Sequence, residues 1–327
     1  MAAFAAEYRA PLGWSVDGLA LHTNRGIGPL GLIACARSRL DGDDWVGALD
    51  LLRADTLEVT ASVELECGAA DVAYADGVIV VARDDGCLGI HDRQTAAAVA
   101  APVVAHAGAV RAVTRVTDTF HCASTGDDGV VRQWDLRGGQ KLVNEHYGHT
   151  DACLAVTSLQ ETNSATPWCG ADTIASGGRD GTVRIWDGRS PRAAVVRTFN
   201  SNVRSLTVVS DGERSGGVES RIAVGLGDGT LMVWDPRQSS HANCGRCRFA
   251  PGAGVGALAE FYTFGEHLTG KYAAGFDDGS IQIMPRNGSG DKRIIEGHAD
   301  YCNALCWTDA STLVSGARDG VVRSWKV

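Results

Sequence analysis

Asp-Gly dipeptides punctuate this chain at a nearly constant interval, and the residues around them keep a fixed order. Turns in one register fall at Asp85-Gly86, Asp128-Gly129, Asp180-Gly181, Asp228-Gly229, Asp278-Gly279 and Asp319-Gly320, spaced by 43, 52, 48, 50 and 41 residues. Asp-Gly favours a tight hairpin turn because glycine takes positive φ without strain. Six residues after the turn aspartate stands Trp134, Trp186, Trp234 or Trp325, and four before it Ser124, Ser176 or Ser315. A unit of this size cannot bury both of its own faces, so neighbouring units must stack to make a core. The 327 residues therefore read as about seven units of one array rather than as two domains.

Three of those tryptophans are followed by aspartate, at Trp134-Asp135, Trp186-Asp187 and Trp234-Asp235. On these residues and this period the chain resembles the WD-repeat β-propellers. The resemblance implies an all-β, seven-bladed propeller in a single domain over 1–327, each blade a four-stranded sheet. Expected blades are 10–65, 66–101, 102–145, 146–199, 200–249, 250–296 and 297–327 plus 3–9. The chain ends at Val327, one strand short of a complete last blade. The segment Phe4 to Arg9 is expected to supply that strand and close the ring, removing an exposed edge.

With His106, His149 and His298, the repeated residues make three sets: His106, Ser124, Asp128, Trp134; His149, Ser176, Asp180, Trp186; and His298, Ser315, Asp319, Trp325. Buried imidazole and indole N–H groups need partners, and a relay through these four side chains satisfies them while pinning the blade. Ser, His and Asp also compose a hydrolase triad. An active site needs one such trio, whereas this chain carries three beside a tryptophan, so the structural reading is preferred and no catalytic residue is assigned. Four blades lack the relay: Val81 and His91, Val224, and Ala274 and Met284 replace its members in blades 2, 5 and 6, and blade 1 loses the register altogether. Apolar packing is expected to replace the relay in all four. In blade 1, Leu32 to Ala36 and Trp45 to Leu51 are expected strands joined by a polar loop, Arg37 to Asp44.

A formal charge of −9 argues against a nucleic-acid or anionic-membrane partner and favours basic ones. No apolar run approaches the 18 residues or so of a membrane helix, and Glu7 and Arg9 interrupt the start where a signal peptide needs an apolar stretch. Ten cysteines scattered through apolar segments read as buried hydrophobes of a reducing compartment. Cys244-Gly245-Arg246-Cys247 near His241 supplies half of a zinc-site spacing, and no second pair completes it. Gly265 to Lys271 fits most of a phosphate-binding loop, but Tyr272 stands at the magnesium-binding hydroxyl position. Neither metal nor cofactor is expected.

Acidic doublets recur at the turns: Asp43-Asp44, Asp84-Asp85, Asp127-Asp128 and Asp277-Asp278. The turn itself needs only the aspartate before glycine. The preceding carboxylates, Asp43, Asp84, Asp127 and Asp277, are candidates for a rim that attracts a basic partner. Long segments at Leu159 to Ala171, Ser210 to Ser220 and Thr263 to Lys271 are expected loops on the opposite face. Trp168, within the first of them, is a candidate partner anchor.

Blade 1 carries a narrower likeness. Trp45-Val46-Gly47-Ala48-Leu49-Asp50-Leu51 resembles the first blade of the methylosome WD-repeat subunit, the partner of the type II protein arginine methyltransferase. The likeness continues through Gly68 to Tyr74, Ile79 to Gly86, and His298-Ala299-Asp300-Tyr301 with Trp307. The resemblance implies that Trp45, flanked by Asp43 and Asp44, docks the methyltransferase, and that the protein is an adaptor presenting arginine-rich proteins such as histones or Sm proteins. It also implies work in cytoplasm and nucleus. Other WD proteins, such as a peroxisomal import receptor or a coat scaffold, and an enzyme resembling the diphthine methylesterase, remain alternatives of the same fold.

Overall fold

The computed structural model describes all residues except 1–2, 23–30, 76, 117–120, 138, 160–171, 191, 214–217, 237–244, 249–251, 262–270 and 286–292. The described residues form 28 strands in seven antiparallel sheets of four, with no helix among them. Blade 1 runs β2 (Ser15–His22), β3 (Leu32–Asp41), β4 (Asp44–Arg53) and β5 (Val59–Leu65) from the inside outwards. Each later blade repeats that order. The inner strands are β6 (Ala69–Ala75), β10 (Val110–Arg115), β14 (Cys153–Ser158), β18 (Val203–Glu213), β22 (Val255–Phe261) and β26 (Cys302–Asp309). Each packs on the next and β26 packs on β2, which makes a ring around a central channel.

Ring closure follows the sequence expectation. β1 (Ala3–Arg9) pairs antiparallel with β28 (Val321–Lys326) and completes the sheet of β26, β27 (Thr312–Ala317) and β28. The first and last segments of the chain thus share one sheet, and the last blade is left without an unpaired outer edge at β28.

The core lies between blades. Trp134 packs on Val80, Leu88 and Ile90 of blade 2, and Trp186 on Val131 of blade 3. Trp234 reaches Val183 and Ile185 of blade 4, and Trp325 reaches Ile281 and Ile283 of blade 6. An indole of this kind takes on the order of 200 Å² out of water, a gross gain of roughly 5 kcal/mol. In blades 3, 4, 5 and 7 the recurrent tryptophan is therefore a contact that makes the blade depend on its predecessor.

Two segments expected as loops are strands. In blade 1, β3 and β4 stay paired through Arg39↔Val46 and Leu40↔Trp45 to Asp41↔Asp44, around a Gly42-Asp43 turn with Gly42 at φ +65°. The polar stretch Arg37 to Asp44 misled because its side chains find partners outside the hairpin: Arg37 and Arg39 stack on Trp14 at 4.3 and 5.0 Å. In blade 5, β18 and β19 (Val218–Leu226) remain paired out to Glu213↔Val218, so most of the stretch 210–220 is hairpin.

Apolar packing also does not replace the relay in every irregular blade. Blade 1 buries an ion pair, Arg37 to Asp50, with Arg37 Nε and Nη2 donating at 2.5 and 3.0 Å. Ser62 Oγ donates to Asp50 at 2.6 Å, and so does Tyr8 Oη, from β1, at 2.6 Å. A carboxylate buried this deeply stays charged only when paired and hydrogen-bonded, and Tyr8 makes the closing strand part of that solution. In blade 2, buried His91 bonds the Ala96 carbonyl through Nδ1 at 2.8 Å, and Arg83 donates to Asp85 at 2.6 Å.

Candidate functional site

The three relays are assembled, and their geometry decides what they do. Trp134 Nε1–H donates to Ser124 Oγ at 2.9 Å, which leaves the serine proton for His106 Nε2 at 2.8 Å. His106 Nδ1–H then donates to Asp128 at 2.8 Å. Blade 4 repeats the path, with Trp186 to Ser176 at 2.7 Å, Ser176 to His149 at 2.8 Å and His149 to Asp180 at 3.1 Å. Blade 7 does so with Trp325 to Ser315 at 2.8 Å, Ser315 to His298 at 2.7 Å and His298 to Asp319 at 3.2 Å. Each aspartate also accepts the amide two residues on and one from the incoming loop: Val130 and Ala107, Thr182 and Thr150, Val321 and Ala299.

A serine nucleophile needs an accessible oxygen and a free base. Ser124, Ser176 and Ser315 are fully buried, and each oxygen already serves an indole and an imidazole. Burial lowers the His106 and His149 pKa values, with Asp128 and Asp180 opposing it, so both rings are neutral at neutral pH. Burial pushes Asp128 up, but hydrogen bonds from Arg132 and His106 outweigh it and hold the carboxyl at about 2. These are structural devices for fastening loops.

The surface made by the ring lies elsewhere. Every inner strand carries a β-bulge near its start, where two residues face one partner. The extra residues are Asp17, Ala70, Arg111, Leu154, Arg204, Gly256 and Asn303. Six of them, all but Gly256, line one mouth of the channel. That mouth opens on the face of the b–c turns, and Trp45, Ser38 and Asp84 enclose its rim over about 590 Å³. Sequence reading missed Arg111, Arg204 and Asp17. The available signal was a small residue just after each of them, Gly18, Ala112 and Ser205, because inner strands crowd towards the axis: a Cβ on Gly18 would strike the Asp71 backbone.

The bulge arginines change the expected acidic rim. Arg111 grips Asp127 with two bonds of 2.7 and 2.6 Å, and Arg204 reaches across to Asp277 of the next blade at 2.5 Å. Asp127 and Asp277 are thus compensated carboxylates rather than bare ones. Arg111 holds the Asp127 pKa below the ordinary carboxylate value. Asp84 differs: no described side chain hydrogen-bonds its carboxylate, and burial raises its pKa against the pull of Arg111. Burial also pushes Asp17 up to about 6, although Ser38 and Ser15 donate to it. Asp43 and Asp44 are exposed at the blade 1 turn.

Trp45 sits near the tip of the extended hairpin, 49% exposed, opposite Leu40 at 57%. In blade 2 the corresponding hairpin pairing ends at Ala82↔Leu88, and the equivalent pair in blade 1 is Ala36↔Leu49. The blade 1 strands stay paired beyond that point as far as Asp41↔Asp44, on the order of 16 Å further at about 3.3 Å per residue. An exposed apolar pair therefore stands beside the channel mouth. Trp168, Cys244, His241 and residues 265–270 lie outside the described residues. Among the described residues no cluster of three metal-binding side chains forms.

Fold and relays together define a seven-bladed WD-repeat β-propeller, a class that generally serves as a non-catalytic scaffold for protein partners. The WD domain, G-beta repeat family matches residues 101–135, 140–187, 194–235 and 290–326, four of the seven blades. The chain is similar to WD repeat-containing protein 41 of Mus musculus, 35% identical over 40% of this chain and 26% of that protein. It is also similar to methylosome protein WDR77 of Xenopus laevis, 28% identical over 50% of this chain and 49% of that protein. The guanine nucleotide-binding protein subunit beta of Saccharomyces cerevisiae is 32% identical over 37% of the chain and 26% of its own length. The chain thus spans between about a quarter and about half the length of these relatives.

Proposed function

We propose that this propeller is an adaptor that docks a type II protein arginine methyltransferase through its blade 1 hairpin. Arginine-rich proteins, such as histones or Sm proteins, would meet the channel mouth on the same face. The observation that carries the reading is the hairpin itself: a half-exposed Trp45 beside exposed Leu40, raised above the ring and flanked by Asp43 and Asp44. Tryptophan is enriched among the residues that dominate binding energy. The likeness to methylosome protein WDR77 supports the choice of partner. Asp84 and Asp17, carboxylates beside Trp45 that no described arginine hydrogen-bonds, support a cationic guest. Binding would contribute proximity rather than chemistry, in cytoplasm and nucleus alike.

Trp45→Ala tests the reading. Truncating an anchor commonly costs at least about 2 kcal/mol, so affinity for the methyltransferase should fall roughly 30-fold while the thermal melt stays near wild type. A collapsed melt would make Trp45 a core residue. Undiminished binding by a well-folded variant would remove the methyltransferase from the proposal.

A further inference from the structure

The opposite mouth of the channel has a different chemistry. There the inner strands end, and His22 of β2, Tyr74 of β6 and Arg115 of β10 converge with Arg93 from the turn after strand c of blade 2. They line a cavity of about 490 Å³, a size that suits a small ligand. Arg93 Nη1 approaches His22 Nε2 at 3.4 Å, and a guanidinium can only donate. His22 stacks edge-on against Tyr74 at 5.0 Å between ring centres.

Two features of this cavity are unspent. Among the described residues no carboxylate pairs with Arg93 or Arg115, although Arg37, Arg83, Arg111, Arg132 and Arg204 each have one. The Tyr74 hydroxyl is buried and has no hydrogen-bond partner. Among the described residues the one acid lining the cavity is Asp71, which accepts the backbone amides of Val72 and Val113 at 2.8 and 3.0 Å. Thr114 and Thr157 add hydroxyls to the wall. Among the described side chains, cationic donors therefore outnumber carboxylates around this cavity, in a chain whose overall charge is −9.

We propose that this mouth binds a phosphate group, held by Arg93 and Arg115 with the Tyr74 hydroxyl as a third donor. A tetrahedral dianion uses both guanidinium forks and still has an oxygen for the phenol, whereas a carboxylate satisfies fewer of these donors. The site is on the face away from Trp45, so its fate is separate from that of the methyltransferase reading.

Calorimetric titration of the intact chain with inorganic phosphate, O-phosphoserine and acetate at low ionic strength tests this. Either phosphate probe should bind at least about tenfold more tightly than acetate, and the tighter of the two identifies a free or an esterified phosphate as the natural form. Arg93→Gln with Arg115→Gln should abolish phosphate binding; Arg115→Gln alone, at an exposed position, should weaken it and serves if the double variant is unstable. Tyr74→Phe is the sharper variant. It removes a hydroxyl with no partner, so the melt without phosphate should not fall, yet phosphate affinity should drop about tenfold, the range for a hydrogen bond to a charged group. Failure of both phosphate probes to bind, or binding that survives loss of the arginines, would overturn the proposal. So would a Tyr74→Phe variant that melts earlier but binds phosphate as wild type does.

Discussion

Individual residues in this ring act according to whether their partners are already committed. His149 bridges Ser176 and Asp180, and its removal leaves both short of a buried partner. His149→Ala should lower stability by about 1 to 3 kcal/mol in urea unfolding. A variant with an unchanged midpoint would take the relay out of the stability argument. The rim aspartates divide in the same way. Asp127 is held by Arg111 and Asp84 is not. For an arginine-rich peptide followed by fluorescence anisotropy, Asp84→Asn should therefore weaken binding about two- to fivefold, the scale of a partly exposed ion pair, and Asp127→Asn less. Equal effects would make the two carboxylates interchangeable. Asp17 adds a pH signature. Burial raises its folded-state pKa to about 6, above the unfolded value near 3.9. Its contribution is fully present below the unfolded value and is lost as pH rises through about 6. Asp17→Asn can keep both serine bonds because hydroxyls reverse their roles, so it should melt later than wild type at pH 8 and lose that advantage by about pH 4. A gap that does not change with pH would contradict this account.

At the scale of elements, the blade 1 hairpin and the closing strand show how polar residues extend secondary structure. β3 and β4 project because Arg37 finds Asp50 and both Arg37 and Arg39 find Trp14, so a polar sequence remains sheet. β1 is held by backbone pairing with β28, by Glu7 to Arg323 at 2.9 Å, and by Tyr8 to Asp50 at 2.6 Å. The last contact crosses from the closing blade into blade 1, so it tests closure more directly than the pairing does. Tyr8→Phe keeps the ring but removes one donor from a buried carboxylate, and should cost about 1 to 2 kcal/mol. No change in the unfolding midpoint would mean that Arg37 and Ser62 alone satisfy Asp50.

The whole molecule is a circle of mutually dependent blades, since each recurrent tryptophan packs on the preceding blade and β26 packs on β2. Deleting residues 1 to 10 removes β1 and should destabilise the ring as one unit: a single cooperative transition at lower denaturant. Early loss confined to the last blade, or an unchanged midpoint, would show that the blades are energetically independent.

Much of this architecture is legible in the linear sequence. Turn chemistry, the offsets of Ser, Asp and Trp, and the missing last strand are all short-range patterns, and short-range patterns survive in a linear string. The relay histidines were legible for the same reason, because each opens the strand that follows it. Arg111, Arg204 and Asp17 were not, because a bulge exists only when two paired strands are counted against each other. Nor was the neutralisation of Asp277, whose partner Arg204 is 73 residues earlier and becomes adjacent only when two blades meet at the axis. The phosphate-binding reading of the far mouth depends likewise on three inner strands ending side by side. The linear order of residues determined the blades and their number. Which charges remain free to meet a partner was decided by the closure of the ring, because only there do side chains from different blades compete for one another.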